Sequence, residues 1–189
     1  MSSRSKKKLH KYGVQIPRSV KEAYELDRIN GNTLWRDTIT KEMKNVLIAF
    51  DILEDGKQVA PDRKFIECFM ICKICMTRKA RFCSNGAQTP ELSRSVYSGV
   101  VSRETVRTVF TYAALNGQDV MAADIQNAYL QVPISEKYLT ICGPEFGTEY
   151  AGKKALIVLA LYGTRSVGKD FRDNSPRMNE APGIWILFG

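Results

Sequence analysis

The chain has 189 residues, 44% hydrophobic and 25% charged, the balance of a globular domain with a substantial core rather than of a disordered or fibrous chain. Its net charge of +8 is concentrated at one end: residues 1–21 hold Arg4, Lys6, Lys7, Lys8, Lys11, Arg18 and Lys21 and no acid, so the remainder is close to neutral. No apolar stretch of about 7 to 15 residues follows these charges, and no run approaches the ~18 apolar residues of a membrane span, which argues against a secretory signal and against membrane insertion.

Residues 1–18 read as a basic flexible tail, a composition that binds phosphate backbone, serves as an import signal or stays solvated. Ser19-Val20-Lys21-Glu22 has the form of a capping box and predicts a helix to Asn30, stopped by Gly31. A second helix is predicted from Thr33 to about Ala49, with Leu34, Ile39, Met43, Val46 and Leu47 as its apolar stripe. Phe50-Asp51-Ile52-Leu53 reads as a strand and Glu54-Asp55-Gly56 as a turn. Lys64 to Met76 reads as one long buried strand, and Arg78 to Cys83 as its hairpin partner, closed at the far end by Asn85-Gly86.

Ser102 predicts a third helix through Asn116, ended by Gly117, with Val106, Val109, Phe110, Ala113 and Ala114 as its buried face. A strand leading to Asp124 follows, then short strands over Tyr138–Cys142 and Ala155–Leu161. A last helix begins near Ser166 and cannot pass Pro176 unbroken. This order is that of an α+β protein rather than a regular βαβ wind. Five cysteines, an odd number with no sign of secretion, read as reduced thiols in the cytosol or nucleus.

The most informative block is Ala123-Asp124-Ile125-Gln126-Asn127-Ala128-Tyr129-Leu130, which sets a carboxylate at the end of an apolar run and an aromatic just past a polar turn. Arg78-Lys79-Ala80-Arg81-Phe82 precedes it, and Ala160-Leu161-Tyr162-Gly163 follows. In this order the three blocks resemble the reverse transcriptase domain of copia-type retrotransposons. Trp35-Arg36-Asp37, Lys41-Glu42-Met43, residues 98–103 and Gly143-Pro144-Glu145-Phe146-Gly147 add smaller matches. The resemblance covers about residues 11–174. It implies the fingers and a partial palm of a right-hand polymerase fold over residues 19–174, incomplete and without a thumb, and a divergent end over residues 175–189.

The resemblance implies template-directed DNA synthesis, with an RNA or DNA template-primer and deoxynucleotides as partners and the remainder of a polyprotein around the domain. Asp124 would be the first metal-binding, catalytic aspartate, with the Ile125 carbonyl as neighbouring ligand of Mg²⁺, whose hard-oxygen shell substrate phosphates complete. Tyr129 would lie against the sugar. Lys79 and Arg81 alternate along one strand and so share a face, where they would meet the triphosphate. Tyr162 and Gly163 would line the nucleotide pocket from the other side. The Asp-Asp pair that supplies the remaining ligands of a two-ion site occurs nowhere in the sequence, so the chain is expected to be inactive alone. The alternative is a nucleic-acid-binding remnant without chemistry.

Two further patterns carry less. Residues 163–169 fit G-x-x-x-x-G-K of a P-loop nucleotide-binding protein, but Asp170 stands where a magnesium-binding hydroxyl belongs. Cys68, Cys72 and Cys75 have the spacing of some iron–sulfur loops, yet an extended strand turns Cys72 and Cys75 to opposite faces.

Overall fold

In the computed structural model, residues 9–89, 101–124, 126–174 and 184–188 are described. They form a mixed α+β arrangement of four helices and several small sheets. Strands β1 (His10–Lys11) and β2 (Val14–Gln15) pair as an antiparallel hairpin, and Ile16 enters the core behind it. The expected basic tail is therefore shorter than 18 residues. Its apolar positions Val14 and Ile16 fold back on the domain, which the local density of lysines conceals in the sequence.

Helix α1 (Val20–Asn30) begins and ends where the capping signals place it. The Ser19 hydroxyl accepts from the Glu22 amide at 3.1 Å, and Gly31 adopts φ 64°. The Glu22 carboxylate accepts from the Arg18 amide at 2.8 Å, so the box closes one residue upstream of its usual partner. Helix α2 (Leu34–Val46) continues into a 3₁₀ turn over Leu47–Ala49. Its first turn is capped from α1: the buried Asp27 carboxylate accepts from the Trp35 and Arg36 amides at 3.1 and 2.8 Å. This carboxylate supplies acceptors to donors that a helix start leaves unpaired, and it locks the two helices together.

Four strands make the central sheet: β3 (Phe50–Ile52), β9 (Lys154–Leu159), β8 (Pro133–Ile141) and β4 (Lys64–Phe65), in that order. β9 is antiparallel to both neighbours, and β4 runs parallel to β8. The apolar run 64–76 is thus two strands rather than one. Ile66 stays with the sheet, its amide donating to the Leu139 carbonyl at 2.9 Å, while Glu67 donates its amide to the Gln88 side chain at 2.8 Å. Beyond that break, β5 (Cys68–Cys75) pairs with β6 (Thr77–Ser84) as a separate antiparallel hairpin. One face of β5 is buried and the other is not, so the run is not doubly covered. The reversal sits at Met76, between paired Cys75 and Thr77. Asn85 instead opens the 3₁₀ turn Gly86–Gln88, accepting from the Ala87 amide.

The core gathers where α2 lies across β6. Trp35, Ile39, Met43 and Val46 face inward from the helix and meet Ala80 and Phe82 of the strand. Phe82, Phe50 and Phe146 form a mutual edge-to-face cluster with centroids 5.1 to 5.9 Å apart.

Helix α3 (Arg103–Leu115) has its predicted Ser102 cap and its Gly117 stop at φ 61°. Its predicted buried face is not buried, however: only Ala113 is, and Phe110 remains 49% exposed. Among the described residues no strand or helix packs extensively along it, so the apolar stripe of the sequence does not identify what covers it. Helix α4 (Val167–Asn174) starts just after Ser166, as expected. Strand β7 (Val120–Asp124) is parallel to β10 (Ile184–Phe188), a strand the sequence reading left inside a divergent end. Residues 175–183, including the expected stop at Pro176, lie outside the described residues.

Truncating Phe82 to alanine removes the centre of the aromatic cluster and is expected to lower stability by about 3–5 kcal/mol, read by chemical denaturation.

Candidate functional site

A cleft of about 280 Å³ opens between the outer side of β6 and one flank of α2, and Lys79, Arg81, Tyr162 and Asn127 all line it. Lys79 and Arg81 are exposed on one face of β6, as alternation requires. The Arg81 guanidinium lies over the Tyr162 ring, 4.7 Å from its centroid. Tyr162 packs edge-to-face on Tyr129 at 5.0 Å, and Tyr129 does the same on Phe171 of α4 at 5.8 Å. Burial pushes the Tyr162 hydroxyl above its usual range, with the Arg81 charge working the other way.

Two residues distant in sequence are fused here by backbone contacts. The Ser84 amide at the end of β6 donates to the Tyr162 carbonyl at 2.8 Å. Gly163 adopts φ 99°, and a Cβ there would collide with the Ser84 carbonyl, so only glycine lets the loop lie this close to the strand. Gly163 acts by this close approach.

The opposite wall comes from α2, whose Lys41 and Glu42 entered the sequence reading only within a smaller match and without a role at the site. Thr38, Lys41, Glu42 and Asn45 line the cleft. Their i, i+3, i+4, i+7 spacing is a polar stripe beside the apolar one, a signal the sequence does contain. Glu42 accepts from the Phe82 amide at 3.1 Å, satisfying a donor on the outer edge of β6. Burial raises its carboxyl above the ordinary 4.5, while the Phe82 hydrogen bond and the Arg81 charge oppose that rise. Lys73 of β5 is the other missed cation. It stands opposite Lys79 in the hairpin register, a like-charge pair that costs stability unless an anion lies between.

Asp124 ends β7 in register with Phe188 of β10, and Ile125 lies outside the described residues. The chain then turns through Asn127, at φ 52°, into the 3₁₀ turn Ala128–Gln131 that carries Tyr129. Lys79, Arg81 and Tyr162 therefore line one cleft, whereas Tyr129 packs on Tyr162 and Gly163 on Ser84 without lining it. A carboxylate set is not assembled. β10 contributes no acid beside Asp124, and among the described residues no group of three or more His, Cys, Asp or Glu could hold a metal ion. A two-ion Mg²⁺ centre needs several hard oxygen ligands, more than the described residues bring together.

The P-loop pattern finds no matching geometry. The strand before it, β9, is antiparallel on both sides, Lys169 lies within α4 and pairs with Asp173 at 2.7 Å, and buried Asp170 accepts from the Ser135 amide at 3.2 Å. Cys68, Cys72 and Cys75 are strung along β5, half-buried, buried and exposed in turn. Burial pushes the first two thiols up to about 12 and about 11, away from the thiolate a metal needs. Among the described residues no helix is long and apolar enough to cross a membrane.

No protein-family model matches the chain, and no curated protein or solved structure matches it.

Because the folded state holds Glu42 above its unfolded value, its favourable contribution is full below about 4.5 and is lost as pH rises through the raised folded value. Glu145, raised mainly by burial, acts in the same direction. Glu42→Gln keeps an acceptor for the Phe82 amide. It is expected to flatten, without abolishing, the loss of stability between pH 4 and 7 in denaturation curves taken across that range.

Proposed function

We propose that this chain is a reverse transcriptase-type domain of a retroelement polyprotein, of the copia kind, whose cleft holds the triphosphate of a deoxynucleotide beside a template-primer. The observation that carries this reading is the convergence of Lys79 and Arg81 on Tyr162, about 80 residues later in the sequence, at a single cleft. In this reading Arg81, its flat face held by the Tyr162 ring, presents its N–H edge to phosphate oxygens, and Lys79 adds a mobile point charge. Tyr129, backed by Tyr162 and Phe171, supplies the rigid surface for the sugar.

Asp124 and the Ile125 carbonyl are assigned to the metal position of the family. Bound Mg²⁺ would supply charge neutralisation at the phosphates there, but the carboxylates described do not complete its site. The chain alone is accordingly proposed to bind nucleotide and nucleic acid without extending a primer. That second half coincides with the remnant reading, which the absence of any acid in β10 favours.

Titration of the protein with deoxythymidine triphosphate by calorimetry is expected to show binding that Arg81→Ala weakens about tenfold or more and Arg81→Lys restores only in part. Equal affinity for wild type and Arg81→Ala would reject the cleft as the site. Mg²⁺-dependent primer extension abolished by Asp124→Asn would reject the non-catalytic reading and retain the polymerase one.

A further inference from the structure

Among the described residues, Glu42 is the only acid that lines the cleft of Lys79 and Arg81. Cations line both walls around it: Lys41 from its own helix, and Arg78, Lys79 and Arg81 from β6. Lys73 of β5 stands opposite Lys79 in the hairpin register. Tyr162 and Cys83 lie close enough to feel the Glu42 charge, while Asn127 and Leu130 bring none from the 3₁₀ turn. A carboxylate among the cations of an anion site works against the ligand, because it repels over the same short distances at which they attract. Part of its presence is structural: Oε1 accepts from the Phe82 amide at 3.1 Å. That bond needs only an acceptor, which an amide side chain or a protonated carboxyl also supplies. A full charge is more than the fold requires at this position.

The second carboxyl oxygen lets that charge come and go. With Oε1 held by the amide, a proton on Oε2 leaves the hydrogen bond in place. Burial already favours this neutral form and lifts the carboxyl above the ordinary 4.5, against the pull of the Phe82 amide and of Arg81. Burial also raises the Tyr162 hydroxyl and the Cys83 thiol, so neither changes charge between about pH 4.5 and 7.5. An anion seated on Lys79 and Arg81 sets further negative charge near Glu42 and raises its carboxyl again. By linkage, protonation of Glu42 strengthens anion binding by the same factor.

On the reading of the cleft as an anion site, we infer that Glu42 is its proton-controlled gate. Ionised, Glu42 offsets the Lys79 and Arg81 charges and weakens the hold on an anion. Protonated, it leaves those charges to the ligand, so anion and proton bind together.

The test is an NMR titration of the full chain with sulfate, a dianion that does not itself titrate in this range, at about pH 7.5 and about pH 4.5 and constant ionic strength. Saturating shifts at Arg81 and Tyr162 identify the cleft, and Arg81→Ala is expected to abolish the one at Tyr162. Glu42→Gln keeps an acceptor for the Phe82 amide. It is expected to bind sulfate at least about fivefold more tightly than wild type at the higher pH, and within about twofold of it at the lower. Equal affinities at both values, a ratio that does not change with pH, or weaker binding by Glu42→Gln would overturn the gate and leave the cleft an anion site. No saturating shift at Arg81 and Tyr162 at either value would reject the cleft and the gate together. The wild type alone carries the same test if the variant does not fold. The titration midpoint of its Glu42 carboxyl carbon is expected to rise by about half a pH unit or more when sulfate is bound, and an unmoved midpoint would overturn the gate.

Discussion

Everything proposed for the cleft depends on how β6 is held against α2. Phe82 is completely buried, wedged edge-to-face between Phe50 and Phe146, while its backbone amide is bound by the Glu42 carboxylate. The side chain fixes the depth of the strand and the amide fixes its position along the helix. With Phe82 placed, alternation alone turns Lys79 and Arg81 outward to the cleft and Ala80 inward to the core. Two residues beyond Phe82, Ser84 joins the Tyr162–Gly163 loop, which brings the aromatic half of the site to the cationic half. A half-buried carboxylate is a costly way to satisfy one amide. The Arg81 charge beside it offsets part of that cost.

The local elements were legible in the sequence because their signals are local. Ser19 and Gly31, and Ser102 and Gly117, mark helix ends by side-chain and backbone chemistry within a few residues. The face shared by Lys79 and Arg81 followed from strand alternation. What failed depended on partners far away in the chain. Nothing between Lys64 and Met76 says that the run divides at Ile66–Glu67, since the break is set by Leu139 and Gln88. The stripe on α3 states that a face is apolar and not what covers it. Capping of α2 by Asp27 crosses a helix boundary and leaves no motif. The Thr38, Lys41, Glu42 and Asn45 stripe was visible in principle, but a polar helix face ordinarily faces water, so only its opposition to β6 makes it a wall.

The cleft and the tips of the β1/β2 and β5/β6 hairpins differ in how they are built. Around the cleft, Arg81, Tyr162, Tyr129 and Phe171 are stacked in sequence, so the binding groups arrive with few rotamers left to lose. At the hairpin tips the side chains are exposed and the backbone carries the constraint. Chemistry is a separate matter from either. A phosphate site made of cations can form without metal ligands, and the carboxylates needed for two-ion catalysis are not gathered beside Asp124 among the described residues.

The central claim is that strand β6, the Tyr162–Gly163 loop and the polar stripe of α2 act as one anion-binding cleft. Amide and side-chain NMR during titration with deoxythymidine triphosphate tests it most directly. Coordinated shifts at Lys41, Lys79, Arg81 and Tyr162, saturating with one dissociation constant and diminishing as salt is raised, are the predicted result. Shifts confined to the helix α4 region around Lys169, or scattered over the lysines of the surface without saturation, would contradict it.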